Sequence, residues 1–288
     1  MARLVYTSDL HGELDLYRAA GEAAIRTHAD ALIFGGDLCP GAPSGAAMRL
    51  PIDQPEFILN QLSPLLGEWK QAHPALRIFA IPGNDDCQTV LPAIEELEMN
   101  DLIENLHMET RILGAHTLMG FSFVPPTPFH LKDFERWDEA PDPDSDAYSY
   151  RCIMGTPRGF MVIEDFQSYL DSLPSLKQEL RQLPVKDPAH TVAVIHTPPF
   201  NTKCDVLFDG RHIGSKAVRS WIEKNQPRLT LHGHVHESPK ISGSFFDRVG
   251  STTVINPGCD HARPHLVFID LDNPAEIEHS LYGKKAVG

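Results

Sequence analysis

The sequence predicts an α/β fold, and three observations carry the prediction. Seven short apolar runs, rich in β-branched and aromatic residues, lie at 4–6, 31–34, 76–81, 191–195, 229–231, 252–255 and 266–269. They are apolar almost throughout rather than alternately, the pattern of strands covered on both faces. Stretches of helical periodicity separate several of them, and strands alternating with helices define the α/β class. Five of the runs also end, within a few residues, in side chains able to hold a metal ion.

Taken in order, the run at 4–6 leads to Asp9 and His11, and the run at 31–34 leads through Gly35 and Gly36 to Asp37. Phe57, Ile58, Leu62, Leu65, Leu66 and Trp69 recur at spacings of three and four. They predict a helix bent or ended at Pro64. The run at 76–81 leads through Pro82 and Gly83 to Asn84 and Asp85. From 124 to 157 proline and aspartate dominate and periodicity is weak, which predicts an irregular insertion bordering a site. Its aromatic residues, Phe129, Phe134, Trp137 and Tyr148, are then available to contact a substrate. A second stripe, Phe166, Leu170, Leu173, Leu176, Leu180 and Leu183, is interrupted by Pro174. The run at 191–195 leads directly to His196, and Ser215 predicts the N-cap of a helix through Val218, Trp221 and Ile222. The run at 229–231 leads to His232, His234 and His236.

Composition narrows the class further. Of 288 residues, 39 are acidic and 25 basic, a net charge of −14, and no Lys/Arg cluster stands out. That balance counts against a nucleic-acid polymer as partner. An apolar content of 42% excludes a disordered chain, and no apolar run approaches the length of a membrane span. A strand beginning almost at residue 1, with no apolar h-region or small-residue cleavage site, argues against a secretory signal. Five widely spaced cysteines, Cys39, Cys87, Cys152, Cys204 and Cys259, include no CxxC pair and read as free thiols of a reducing compartment. A cytoplasmic protein is the expectation, with residues 1–288 forming one domain.

Each strand-end residue has an ordinary explanation when taken alone, as a turn residue, a cap or a core histidine. Together they are informative, because ligands of open α/β sheets bind beyond the carboxyl ends of the strands. The order Asp9-x-His11, Gly36-Asp37, Gly83-Asn84, His196, Gly233-His234-x-His236 resembles that of the calcineurin-like metallophosphoesterases. The stretches His196-Thr197-Pro198-Pro199 and Gly233-His234-Val235-His236-Glu237-Ser238 are similar to the bacterial and archaeal branch of small predicted phosphoesterases. The resemblance runs from Asp9 past Asn256-Pro257-Gly258.

The resemblance implies a four-layer α/β/β/α sandwich, two mixed sheets face to face with helices outside, and two divalent ions at the strand ends. Carried over, one ion takes Asp9, His11 and His236, the other takes Asn84, His196 and His234, and Asp37 bridges them. Hydroxide held between the ions would attack the phosphorus of a phosphomonoester or phosphodiester, with Asn84 helping to stabilise the phosphoryl oxygens. Mixed imidazole and carboxylate ligands suit Mn²⁺, the first expectation, and also Fe, Zn, Co or Ni. The implied partner is a small-molecule phosphate ester. One position departs from the family. Where a histidine usually follows Gly-Asn and protonates the leaving group, this chain has Asp85. A carboxyl beside two dications is expected to be ionised and unable to donate. Leaving-group assistance then falls to another group such as His130, His212 or His261, or is missing. The alternative reading is a scaffold that keeps the fold and binds a protein partner with little turnover. His232 is open between supporting the ligands and packing inside the sheet.

Overall fold

The computed structural model describes residues 2–41, 50–141, 151–273 and 275–287. In chain order come β1 (Arg3–Thr7), α1 (Leu14–Arg26), β2 (Ala31–Phe34), α2 (Leu50–Phe57), α3 (Ser63–Ala72), β3 (Arg77–Ala80) and α4 (Leu91–Met99). The short β4 (Glu104–Asn105) is followed by β5 (Thr110–Leu113), β6 (His116–Phe121), β7 (Cys152–Thr156), β8 (Gly159–Ile163), α5 (Phe166–Asp171) and α6 (Leu176–Glu179). Then follow β9 (Thr191–Ile195), α7 (Lys216–Asn225), β10 (Leu229–Leu231) and α8 (Ser238–Ser242). Five further strands complete the order: β11 (Phe246–Val249), β12 (Thr252–Ile255), β13 (Val267–Asp270), β14 (Glu276–His279) and β15 (Gly283–Ala286).

The strands form two large mixed sheets. One has the order β15-β14-β13-β1-β2-β3-β4, the other β11-β12-β10-β9-β6-β5, and β7 pairs with β8 in a separate hairpin. β1, β2, β3 and β4 run parallel, as do β12, β10, β9 and β6. Because side chains alternate across a strand, each sheet has two buried faces here. Leu4, Tyr6, Ile33 and Phe79 of the first sheet meet Leu118, Val192, Val194, Leu231 and Ile255 of the second. Val5, Leu32, Phe34 and Ile78 point the other way, onto Tyr17 and Ala20 of α1, Leu66 of α3 and Ile94 of α4. Phe121, Ala193, Ile195 and Val254 cover the outer side of the second sheet together with Val218, Trp221 and Ile222 of α7. The result is the α/β/β/α sandwich, and double burial is why its central strands read as unbroken apolar runs.

Several local expectations need correction. The stripe from Phe57 to Trp69 is not broken by Pro64. The helix runs on through a π-turn at Ile58–Leu62 into α3, and Pro64 lies just past that turn. The second stripe does divide at Pro174, into α5 and α6. The segment 124–157 is not irregular throughout, since it contains β7. Phe134 and Trp137, expected to be available to a substrate, are buried at 0% and 4% exposure. Phe134 packs against Phe123 and His107, and the Trp137 indole donates to Asp171. Phe129 alone of the described aromatics singled out there is open, at 53%. Tyr148 lies outside the described residues.

Candidate metal centre

The carboxyl ends of β1, β2 and β3 in one sheet and of β9 and β10 in the other meet at the same end of the sandwich. Beyond the strands the loops remain zipped together. Asp9 N donates to Gly36 O, His11 N to Asp37 O and Gly233 N to His196 O. These bonds force unusual backbone. Asp9, His11, Asp37 and His234 all have positive φ, between 46° and 67°. Each such conformation costs about 1–3 kcal/mol in a non-glycine residue, and it persists where the surroundings over-determine it. Gly83 is required for a different reason: a Cβ there would lie 2.2 Å from Asp37 Oδ1 and 2.7 Å from His196 Nε2.

All seven side chains singled out in the sequence come together. His196 Nε2 lies 3.4 Å from Asp37 Oδ2 and 3.2 Å from Asn84 Oδ1, and His234 Nδ1 lies 2.6 Å from the same amide oxygen. On the other side of Asp37, His11 Nε2 is 3.8 Å from Asp37 Oδ2 and 3.3 Å from His236 Nε2. His236 Nε2 is in turn 3.3 Å from Asp9 Oδ1. Asp37 thus stands between two groups of donors, one holding Asn84, His196 and His234, the other Asp9, His11 and His236. The His196 Nδ1 is engaged by Gly35 O at 2.8 Å, which leaves Nε2 to face the cluster. The donor set fits transition-metal dications. Lone-pair atoms face one another, with two imidazole Nε2 atoms 3.3 Å apart, and Asp9 Oδ2 is buried without a hydrogen-bond partner. Buried polar groups rarely remain so unless something else engages them.

Burial and mutual charge shape the proton affinities. Burial resists ionisation of Asp37, but His196 and His11 prevail and hold its carboxyl down at about 2. Burial opposes charge on His196 too, yet Asp37 and Asp9 lift it to about 10. His234 is pushed down to about 4 by burial and the neighbouring His196. Asp85 is lifted to about 7 by burial and by Asp37. Its amide N–H donates to Asp37 Oδ1 at 2.7 Å, and its Oδ2 lies 3.6 Å from His11 Nδ1.

Supports that sequence reasoning missed hold this cluster. The Asp86 carboxylate accepts from the backbone N–H of Leu38, Cys39 and Gly83, clamping the loops after β2 and β3. The Asn256 amide donates to the carbonyls of Cys204, Gly233 and Val235 and so fixes the loop bearing His234 and His236. Both are buried polar residues at strand ends, a signal available in principle from Asp86 following Asn84-Asp85. The open question about His232 is settled. Its Nδ1 faces the carbonyls of Ile195 and Thr197 and its Nε2 the Thr230 hydroxyl, so it ties β9 to β10 inside the core. Of the three histidines named as other proton sources, His212 pairs with buried Asp205 and His130 faces the Arg151 carbonyl. His261 packs on His11 and His236.

Beside the cluster opens a cleft of about 410 Å³. Asp37, Asn84, Asp85, His234 and His236 form its floor, residues 125–129 one wall, and Leu207, Arg211 and Ile213 another. Buried charge pins each wall. Lys132 Nζ donates to Glu135 at 3.0 Å and to the Thr127 carbonyl at 2.6 Å, with both charged side chains fully buried. Asp205 accepts from the N–H groups of Asn201, Thr202 and Gly214 on the opposite side.

Fold and site together define an α/β protein of the metallophosphoesterase type, with a His/Asp cluster able to hold metal at the strand ends. The chain belongs to the calcineurin-like phosphoesterase family, whose sequence profile matches residues 2–238. It is similar to an uncharacterized protein of Methanocaldococcus jannaschii, 23% identical over 259 residues that cover 88% of this chain and 87% of the relative. Among solved structures it resembles a protein of Thermus thermophilus, with TM-score 0.58, 18% identity and coverage of 98% and 99% of the two chains. It also resembles a dimetal phosphatase from Danio rerio, with TM-score 0.51, 10% identity and coverage of 98% and 96%. At these identities the two structures speak to the fold alone. Among the described residues, no helix is long and apolar enough to cross a membrane.

Proposed function

We propose that the protein hydrolyses a small phosphate ester, a monoester or a diester, at a dinuclear centre. Asp9, His11 and His236 would hold one ion, Asn84, His196 and His234 the other, and Asp37 would bridge. The observation that carries the reading is the convergence of these seven side chains around Asp37 at the floor of a cleft. When bound, two dications would neutralise phosphoryl oxygens and make hydroxide available at neutral pH. The chain's own contributions are positional. Asn84 presents its amide at the edge of the cleft, where Oδ1 faces His196 and His234 while Nδ2 donates to Asp85. The walls shed water around the ester, and a volume of about 410 Å³ suits a small molecule rather than a polymer.

A specific residue supports a second reading. Asp85 in place of the family's usual histidine would suit a scaffold that binds a partner without turnover. One experiment separates the two. Protein reconstituted with Mn²⁺ is assayed for metal content and screened against phosphate monoesters and diesters. The proposal expects two ions per chain and ion-dependent turnover, with Asp37→Ala losing most of both. Turnover that survives in Asp37→Ala would place the chemistry elsewhere. Two bound ions without turnover on any ester would favour the scaffold.

A further inference from the structure

His261 belongs to none of the motifs that mark the site, yet the loop carrying it is fastened at several points. Asn256 Oδ1 accepts from Gly258 N, and Cys259 N donates to the carbonyl of His236 itself. The Cys259 thiol lies 3.1 Å from the Asp9 carbonyl. Asp260 accepts from the N–H groups of Ala262 and Arg263, and His265 and His279 both meet the carbonyl of Pro257. His261 itself has φ 55°, a left-handed conformation that costs energy in a non-glycine residue. The effect of all this is to lay its ring against two others. Ring centroids lie 5.1 Å from His11 and 5.3 Å from His236. One ring nitrogen from each of the three falls within 4.8 Å of the others.

Three imidazoles at this spacing repel one another if protonated and offer lone pairs to a cation if neutral. The same His11–His236 pair forms part of the neighbouring set with Asp9 and Asp37, whose donor atoms also lie within 4.8 Å of one another. An ion on the shared His11–His236 edge therefore has donors on both sides. We propose that His261 is a further ligand of the ion held by Asp9, His11 and His236, closing that position on its solvent side. The inference rests on the metallophosphoesterase reading and adds a donor from outside its motifs. A third imidazole shifts the preference of this position away from Mg²⁺ and toward later first-row metals such as Zn²⁺ or Co²⁺. The other position, at Asn84, His196 and His234, is unaffected.

The test is metal binding, independent of any substrate. Apoprotein is titrated with Zn²⁺ against a chromophoric chelator, for wild type and His261→Ala. One of the two binding events should weaken at least about tenfold, since even indirect supports of a ligand are typically worth that much, while the other keeps its affinity. His261→Cys provides a second readout: loaded with Co²⁺, it should gain a thiolate-to-cobalt charge-transfer band that His261→Ala lacks. His261→Ala with both affinities unchanged overturns the assignment of His261 alone. Wild type that takes up no ion overturns the metal-centre reading and this inference with it.

Discussion

Asp85 stands where the family resemblance implies a histidine. Its carboxyl accepts a hydrogen bond from Asn84 Nδ2 and lies 3.6 Å from His11 Nδ1, at the cleft floor. Burial and Asp37 favour its protonated form, whereas bound dications favour the carboxylate. With the centre loaded, Asp85 should therefore give a poor leaving group little help. General-acid assistance is typically worth about 10²–10⁴-fold. Hydrolysis should fall steeply as leaving-group pKa rises, and Asp85→His should flatten that slope by accelerating alkyl esters most. A series of aryl and alkyl phosphodiesters at matched metal content measures both slopes. A shallow slope in the wild type would mean that a proton donor is already in place. At this scale the candidate ligands were legible, because each lies within a few residues of a strand's carboxyl end and chemistry restricts their type. The supporting roles of Asp86 and Asn256 were not, although Asp86 directly follows Asn84-Asp85, because they depend on backbone carbonyls and N–H groups brought from distant segments.

Elements differ in how openly the sequence declares them. Strands β1, β2, β9, β10 and β12 announce themselves because both faces are buried. By contrast, β14 (EIEH) and β15 (GKKA) form the exposed margin of the first sheet and carry no apolar run. The cleft wall at 125–129 is a further case, since proline marks it as irregular while its anchor is the pair Lys132 and Glu135 below it. Burial pushes the Glu135 carboxyl up to about 7 despite Lys132, so the pair is sensitive to any loss of a partner. Lys132→Met should cost about 3–5 kcal/mol, as removal of one member of a buried pair commonly does. A double variant, Lys132→Met with Glu135→Gln, should recover part of that loss. Chemical denaturation of the three proteins measures both effects. In the folded single variant, KM for esters that reach the wall should change more than metal affinity. A single variant as stable as wild type would show that the pair does not anchor the wall.

For the molecule as a whole, acid sensitivity should trace to histidines held neutral inside it. Burial, with Arg136 close by, pushes His107 down to about 4, and its Nδ1 has no hydrogen-bond partner. An unfolded histidine titrates near 6.5. Between those values the unfolded chain binds a proton that the folded one refuses, so this contribution is full above about pH 6.5 and is lost as pH falls toward 4. His107→Phe fits between Phe123 and Phe134, whose rings lie 5.1 and 5.4 Å away. Between pH 7 and pH 5 the variant should lose about 1–2 kcal/mol less stability than wild type in urea titrations. Parallel losses would show that His107 does not titrate in this range.

The contribution of both sheets to one cluster also governs the order in which the site is made. Asn84 precedes His196 by 112 residues. During synthesis the N-terminal part of a chain emerges and collapses first. For that interval the growing chain offers Asp9, His11, Asp37 and Asn84, a set of oxygen donors with a single imidazole. Such a set suits hard, abundant ions such as Mg²⁺. The imidazoles of His196, His234 and His236, which tip the choice toward transition metals, arrive only when the second sheet docks. On the proposed reading, the nascent protein would meet metals in sequence, and the ion at the centre would be selected as the second sheet docks.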